Sequence, residues 1–406
     1  MSSNDQVSTA ARADVRKLAL GRFLSFTGSL AAGTALNFTL FEQTRSAWWI
    51  ALALFLTWGV RGFFGPVAGS IGDRFDRRIV MIVSELGGAV AWVLASFFVD
   101  SPALLLAFAF VSSIVESSFQ PAAGAAIPNL AGEENLSWAN SLIGVGRYAG
   151  LAAGPLVGGV LVATAGSRWV FLANAVSFVI SAVLVASIHA PFSAHDETVE
   201  VEERQRTLTI GFRFIRRDRV LRQLLLSYFV FIIGMAGTLI ADPVLAEEFG
   251  VGSVGYGAMT ACWGGGTIVG AWLARHVREQ REGWWMFGFS GVVALTGFGV
   301  ALSPWFWLVL VWIVGFGLAD GPTQVVEQNL LQRRTPDHVR SRVMGAWESI
   351  MHVALVVSFL LGGLLVPIVG GRGAYAVGGI TGVIGTLLLL PLIRWLPDRS
   401  ADPEGV

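Results

Sequence analysis

The stretch GSIGDRFDRR, Gly69–Arg78, carries five charged side chains: Asp73, Arg74, Asp76, Arg77 and Arg78. Long apolar runs press against it from both sides. Across the whole chain only 14% of residues are charged and 54% are apolar. A soluble domain is about a quarter charged, so this composition points to a bilayer. A short charged stretch between two apolar runs is then a turn at the membrane surface.

Working outward from that turn, apolar segments of about 20 residues, enough to cross a hydrocarbon core of roughly 30 Å, recur along the chain. Twelve are expected, at about 18–41, 47–70, 79–99, 103–127, 137–163, 167–190, 219–245, 252–275, 283–303, 305–328, 341–369 and 373–396. They are spans 1 to 12 below. The fold class is an all-α membrane protein, with tails at 1–17 and 397–406, a bundle over 18–190, a linker at 191–218 and a second bundle over 219–396. The first residues are polar and the first apolar run is too long for a signal peptide, so no cleavage is expected. Cys262, the one cysteine, lies inside an apolar segment and reads as a small core residue; it excludes an internal disulfide and a thiolate metal cluster.

Of the 28 Lys and Arg residues, 22 fall on the side of the layout that holds both tails and the Gly69–Arg78 turn. Three (Arg45, Arg168, Arg372) fall on the other side, and Arg22, Arg61 and Arg147 lie within spans. The positive-inside rule then places both termini in the cytoplasm.

The chain also repeats itself. A shift of 204 residues brings Glu116 onto Asp320, Gln120 onto Gln324, Glu133 onto Asp337 and Ser137 onto Ser341. The same shift brings Gly158 and Gly159 onto Gly362 and Gly363, and Gly166 and Arg168 onto Gly370 and Arg372. A shift of 201 aligns Gly65, Gly69, Arg74 and Arg77 with Gly266, Gly270, Arg275 and Arg278. Two six-helix, pseudo-symmetric halves in one orientation imply parallel repeats with a site near the repeat interface. The linker begins acidic and polar; from Thr207 it mixes Leu208, Ile210, Phe212 and Phe214 with Arg213, Arg216 and Arg217, which suits a cytoplasmic face against anionic lipid.

Gly69, Asp73, Arg74, Arg77 and Arg78 together resemble the loop signature Gly-x-x-x-Asp-Arg-x-x-Arg-Arg of the major facilitator superfamily, with Asp76 where glycine is common. The resemblance extends over nearly the whole chain through helix number, repeat and linker position, and implies the fold of that family. There the aspartate latches onto the start of helix 11, here near Arg340, Ser341 and Arg342; charge that only enforces topology is the plainer reading of Arg77 and Arg78. In span 5, Gly146, Gly150, Gly154 and Gly158 recur every fourth residue beside Pro155 and Gly159. Such a smooth face allows close helix contact. It resembles the Gly-x-x-x-Gly-Pro-x-x-Gly-Gly signature of proton-driven exporters in the superfamily. The stretches at 119–142 and 331–349 resemble the helix 4–5 and 10–11 connections of the enterobactin-exporter-like branch. Span 4 departs from the drug–proton antiporter pattern, because it holds Glu116 but no arginine.

An ionisable group inside the bilayer is costly, so each is a functional candidate. They are Arg61, Glu116, Arg147, Asp320, Glu348 and His352, with Gln120 and Gln324 one turn beyond the two repeat-matched acids. The resemblance implies that helices 1, 4, 7 and 10 line a central cavity, where Glu116 and Asp320 would face one another. A carboxylate removed from water binds a proton more readily, the property a proton-coupled carrier needs. Arg61 with Glu348 also suits a structural ion pair. Glu348 and His352 share a helix face at metal-ligand spacing, but no third ligand is evident. Asp242, before Pro243, reads as a cap or a water-facing group. Paired tryptophans at 48–49, 284–285, and 305 with 307 read as interfacial belts.

The expected function is secondary active export of small amphipathic molecules by proton antiport and alternating access. No cofactor is expected beyond the proton gradient. The expected partners are a small molecule, protons and lipid, with no nucleic acid, and the unit is a monomer in a bacterial inner membrane. Import of a nutrient on the same fold is the rival mechanism. A membrane enzyme is disfavoured because the sequence holds no His-Glu-x-x-His, Gly-x-Ser-x-Gly or Gly-x-x-x-x-Gly-Lys motif. A non-transporting sensor would be expected to carry a soluble domain, and no polar stretch of that size occurs.

Overall fold

The structure, a computed structural model, describes residues 3–59, 75–132, 135–192, 202–277 and 281–395. Among them the fold is helical with no strand. The first helices are α1 (Ser3–Thr44), α2 (Ala47–Leu54, continued by a π-helical turn Phe55–Gly59), α3 (Arg77–Phe97), α4 (Pro102–Glu116) and α5 (Phe119–Ala131). Next come α6 (Leu136–Ala165), α7 (Ser167–Ala186), α8 (Glu202–Arg217) and α9 (Arg219–Glu248). The chain closes with α10 (Gly252–Leu273), α11 (Glu282–Ala301), α12 (Phe306–Arg334), α13 (Asp337–Leu388) and α14 (Leu390–Trp395).

Eight stretches are long and apolar enough to cross a membrane. One of them, Val343–Trp395, is 53 residues long and covers two of the expected spans. The glycine- and hydroxyl-rich α1 and α10 have the length to cross, and Ala47–Gly59 is the described part of span 2. Among the described residues, helices thus fall on each expected span, with span 2 described only to Gly59. Span 4 is not one continuous helix: it tightens at Ser117–Ser118, where Ser117 N–H bonds back three residues to Ile114 O at 3.1 Å, and so divides into α4 and α5.

Glycine backbone geometry carries the repeat into the structure. Gly166, between α6 and α7, has φ 89° and ψ 159°. Gly370, the non-helical residue inside α13, has φ 73° and ψ 179°. These two residues coincide under the 204-residue shift. A side chain at such positive φ strains the backbone, so glycine ends both helices at equivalent places.

The chain divides into two compact units. The first comprises Met1–Glu197 and Val251–Ala261; the second, Thr198–Gly250 and Cys262–Val406. In the first unit, one buried cluster joins Leu18, Met81, Phe119 and Ile127 to Ile188 and Phe192. Another joins Leu36, Leu40 and Trp92 to Leu105, Phe171 and Phe178. Trp92 and Phe171 stack with centroids 5.2 Å apart. In the second unit Ile215, Leu224, Met286, Leu330, Val343 and Trp347 form the corresponding core. Ile215 is how α8, the second part of the linker, is anchored, while its Ile210 and Phe212 stay exposed.

Lipid tails are as apolar as leucine, so close packing rather than escape from water must hold these helices together. The glycine face of α6 meets α1. A Cβ on Gly158 would lie 2.6 Å from the Ala31 carbonyl oxygen, and one on Gly154 2.8 Å from the Thr27 carbonyl oxygen. In the second unit Gly362 of α13 meets α9, where a Cβ would lie 3.0 Å from Gly237 Cα. Gly144, on α6 as well, has nothing within 4 Å. Gly158→Ala is therefore expected to destabilise by about 1–3 kcal/mol through overpacking against rigid backbone, while Gly144→Ala does not. Thermal unfolding of the purified protein in detergent, followed by intrinsic fluorescence, checks the pair.

Candidate functional site

In the first unit, polar side chains from α1, α3, α4, α5 and α7 share one region of the bundle. Ser112 Oγ donates to Glu116 Oε1 one turn away on α4. Arg22 of α1 donates to Gln120 Oε1 of α5. Arg22 also lies within charge range of Arg147 on α6 and of Glu85 on α3. Glu85 is 2% exposed; its two oxygens accept from Ser25 of α1 at 3.2 Å and Ser181 of α7 at 2.8 Å. Gln120 was expected to extend the strip of Glu116. The tightened turn at Ser117–Ser118 separates the two helices, and Gln120 pairs with Arg22 instead.

In the second unit Asp320 Oδ2 accepts from Trp263 Nε1 at 3.3 Å and from Gln324 Nε2 at 2.8 Å. Both donors are uncharged. Two turns further along α12, Glu327 accepts from Trp347 Nε1 at 2.7 Å. Tyr228 meets the same indole edge to face at 6.3 Å and donates to Thr323 O. On α13 Glu348 and His352 stand 4.0 Å apart, both partly exposed. They open onto a cavity of about 200 Å³ walled by Ile232, Met235 and Leu239 of α9 and Met351 and Leu355 of α13. Among the described residues no group of three or more acidic, histidine or cysteine side chains gathers as metal ligands.

Arg61 and the Gly69, Asp73 and Arg74 part of the charged turn lie outside the described residues. Of the rest of that turn, Asp76 caps α3 by accepting from Ile79 N–H at 3.2 Å. Arg77 donates to the Ala125 and Phe192 carbonyls at 3.0 and 3.2 Å, and Arg78 to the Ala190 carbonyl at 2.8 Å while lying over the Phe192 ring. Beyond any topological role these two arginines tie the start of α3 to α5 and to the segment after α7. The span-5 motif divides between two neighbours. Gly150, Gly154 and Gly158 face α1, whereas Pro155 and Gly159 meet Ser253 and Gly257 in the first turns of α10, which belong to the first unit.

One expectation is overturned. Asp242 is not a water-facing cap: it is 8% exposed and accepts from the Tyr375 hydroxyl, because the Pro243 stretch of α9 packs against the helix after Gly370. Glu85 and Glu327 are further acids of this kind, and each carries in the sequence the signal used for Glu116, an acid in an apolar run.

With the fold and these groups in place, comparison with known proteins decides the family. The family model described as Major Facilitator Superfamily matches residues 18–336 and 281–405. The chain belongs to the major facilitator superfamily. It is a multi-pass membrane transporter. It is 24% identical over 403 residues to a protein named enterobactin exporter EntS of Shigella flexneri, covering 96% of this chain and 94% of that one. The protein of the same name from Escherichia coli O1:K1 / APEC is 26% identical over 412 residues, with the same coverage. Among solved structures, a bacterial homologue of the iron transporter ferroportin in an inward-facing state superposes with a TM-score of 0.72 at 17% identity, covering 95% of this chain and 99% of that one. A D-xylose–proton symporter does so with a TM-score of 0.69 at 14% identity, covering 94% and 95%. These likenesses support the fold and not a substrate.

Because Asp242 is buried on one hydroxyl, Tyr375→Phe is expected to lower stability by about 1–3 kcal/mol, the cost of an unsatisfied buried group. Asp242→Asn in the same background should recover part of the loss. Unfolding midpoints of the single and double variants, compared in detergent, check this.

Proposed function

We propose that this transporter exports small amphipathic molecules from the cytoplasm of a bacterium, driven by inward proton flow. The observation that carries export is the similarity to enterobactin exporters along nearly the whole chain. The glycine–proline pattern of α6 agrees with it, as does an apolar cavity with a polar edge at Glu348 and His352. In this reading both termini are cytoplasmic and the protein lies in the inner membrane. The linker at 191–218 joins two moving halves, the charged turn Gly69–Arg78 acts as a conformational latch, and the protein works as a monomer by alternating access.

Glu116 and Asp320 are the coupling acids of this reading. Each sits partway along a span, and they are related by the repeat. Asp320 rests on an indole and an amide rather than on a fixed positive charge. A carboxylate so placed can pass between charged and neutral forms without breaking a salt bridge. Substrate entering the cavity would then compete with the proton for the cluster.

The experiment uses purified protein in vesicles with an imposed pH gradient. Enterobactin is the first probe and a lipophilic cationic dye the second. Probe movement against the proton flow is expected, and at least one of Glu116→Gln and Asp320→Asn should cut the rate tenfold or more, about 1.4 kcal/mol in the barrier. Substrate-linked proton release in detergent should fall in the same variant. Neither variant losing proton release would remove both acids from the coupling role. Movement of probe with the protons would make the protein a symporter, as the D-xylose–proton symporter's name describes that protein, and would overturn export by antiport.

A further inference from the structure

We propose that the pocket formed by Ser25, Glu85 and Ser181 in the first unit is a proton-binding site, and that Glu85 exchanges its proton with Glu116. The two acids stand on adjacent helices. Glu116 Cγ packs 3.3 Å from the Cβ position of Gly88, which lies one turn beyond Glu85 on α3. Three helices build the pocket, with one hydroxyl from α1 and one from α7 closing on the two carboxylate oxygens.

A carboxylate ion this deeply buried requires an opposing charge in contact with it, and two hydroxyls supply none. Among the described residues the charged groups around it can be named helix by helix. From α1 comes Arg22, whose hydrogen bond goes to Gln120 and not to Glu85. From α4 comes Glu116, itself an acid. Neither α5 nor α7 brings a charged side chain near, since the one on α7 is Arg168, at its far end, bonded to the Ser96 carbonyl. Arg147, on α6, is exposed and sits by Arg22. Among the described residues, the cation within charge range of Glu85 is thus Arg22, which also lies beside Arg147.

A second, independent observation lies along the same helix faces. Asn174 and Trp92 each keep a buried side-chain N–H with no hydrogen-bond partner, and Asn174 is 1% exposed. Asn174 lies two turns before Ser181 on α7, and Ser177 between them bonds to its carbonyl oxygen at 2.7 Å. Trp92 lies two turns beyond Glu85 on α3. Buried donors require partners, and a water molecule is the smallest group that supplies one. The polar seam Glu85–Ser181–Ser177–Asn174 is thus a path along which a proton can leave the cluster. In the exchange, the Glu116 carboxyl releases its proton through water to a Glu85 oxygen. Glu116 is left as a carboxylate accepting from Ser112, and Glu85 as a neutral acid between two serines.

The test is infrared difference spectroscopy of the purified full chain in detergent, stepped between about pH 5 and pH 8, a range above the ordinary glutamate value of about 4.3. It uses neither substrate nor gradient, so its result stands apart from that of the export experiment. The expected result is a protonated-carboxyl C=O band that is lost in Glu85→Gln, kept in Glu116→Gln, and displaced in frequency in Ser181→Ala. A band unchanged in Glu85→Gln overturns the proposal. If Glu85→Gln does not fold, Ser25→Ala and Ser181→Ala decide alone: a band at its wild-type frequency in both overturns it. Sodium is tested at constant ionic strength, and a sodium-dependent rise in unfolding midpoint that disappears in Glu85→Gln also overturns it, by making the site a metal-cation site.

Discussion

Close approach of backbone to backbone, in a solvent that offers no hydrophobic drive, is the constraint on which the rest of this structure depends. Gly154 and Gly158 let α6 lie directly on Thr27 and Ala31 of α1. With α1 so placed, Ser25 and Arg22, one turn apart on it, come to face α3 and α5. Without a smooth face on α6 the α1 helix would stand off, and Glu85 would lose the hydroxyl that accounts for one of its oxygens. The second unit applies the same device through Gly362 and Gly237. Small residues at the contact thus decide where polar residues elsewhere on those helices meet.

Charge inside the spans follows a second rule, that each group must find a donor or an opposite charge without water. The units meet it differently. The first uses Arg22, serines and Gln120. The second uses indole, phenol and amide groups on Asp320, Glu327 and Asp242. A carboxylate on neutral donors changes charge at lower cost than one in a contact ion pair. Two environments therefore arise from acids that the repeat places at one position.

Much of this was legible in the sequence because the bilayer imposes length and composition on every span. The 204-residue repeat predicted equivalent helix ends, and Gly166 and Gly370 adopt matching positive-φ geometry. The Gly146–Gly158 spacing predicted a close contact but not its partner, since a smooth face says nothing of which helix lies on it. Gln120 shows the other limit. Its spacing from Glu116 is a helical turn, yet the tightening at Ser117–Ser118 and the reach of Arg22 are tertiary facts. Asp242 was misread because a proline beside an acid also marks helix ends, and only the fold shows that Tyr375 reaches it.

The inequality of the repeats bears on how a carrier of this kind can work. Within the spans of the first unit lie three arginines, Arg22, Arg61 and Arg147, whereas in the second, arginines fall in loops or near helix ends. Glu116 accepts from a serine in the unit that carries Arg22, whereas Asp320 accepts from an indole and an amide. The two acids matched by the repeat therefore have unlike neighbours. Substitution of neighbours, rather than of the acids themselves, is what separates them. Arg22 on α1 falls on Leu226 under the 204-residue shift, so no basic residue recurs there. With the acids retained in both halves and this arginine in one, the first unit has a contact from α1 to Gln120 that the glycine face of α6 sets in place.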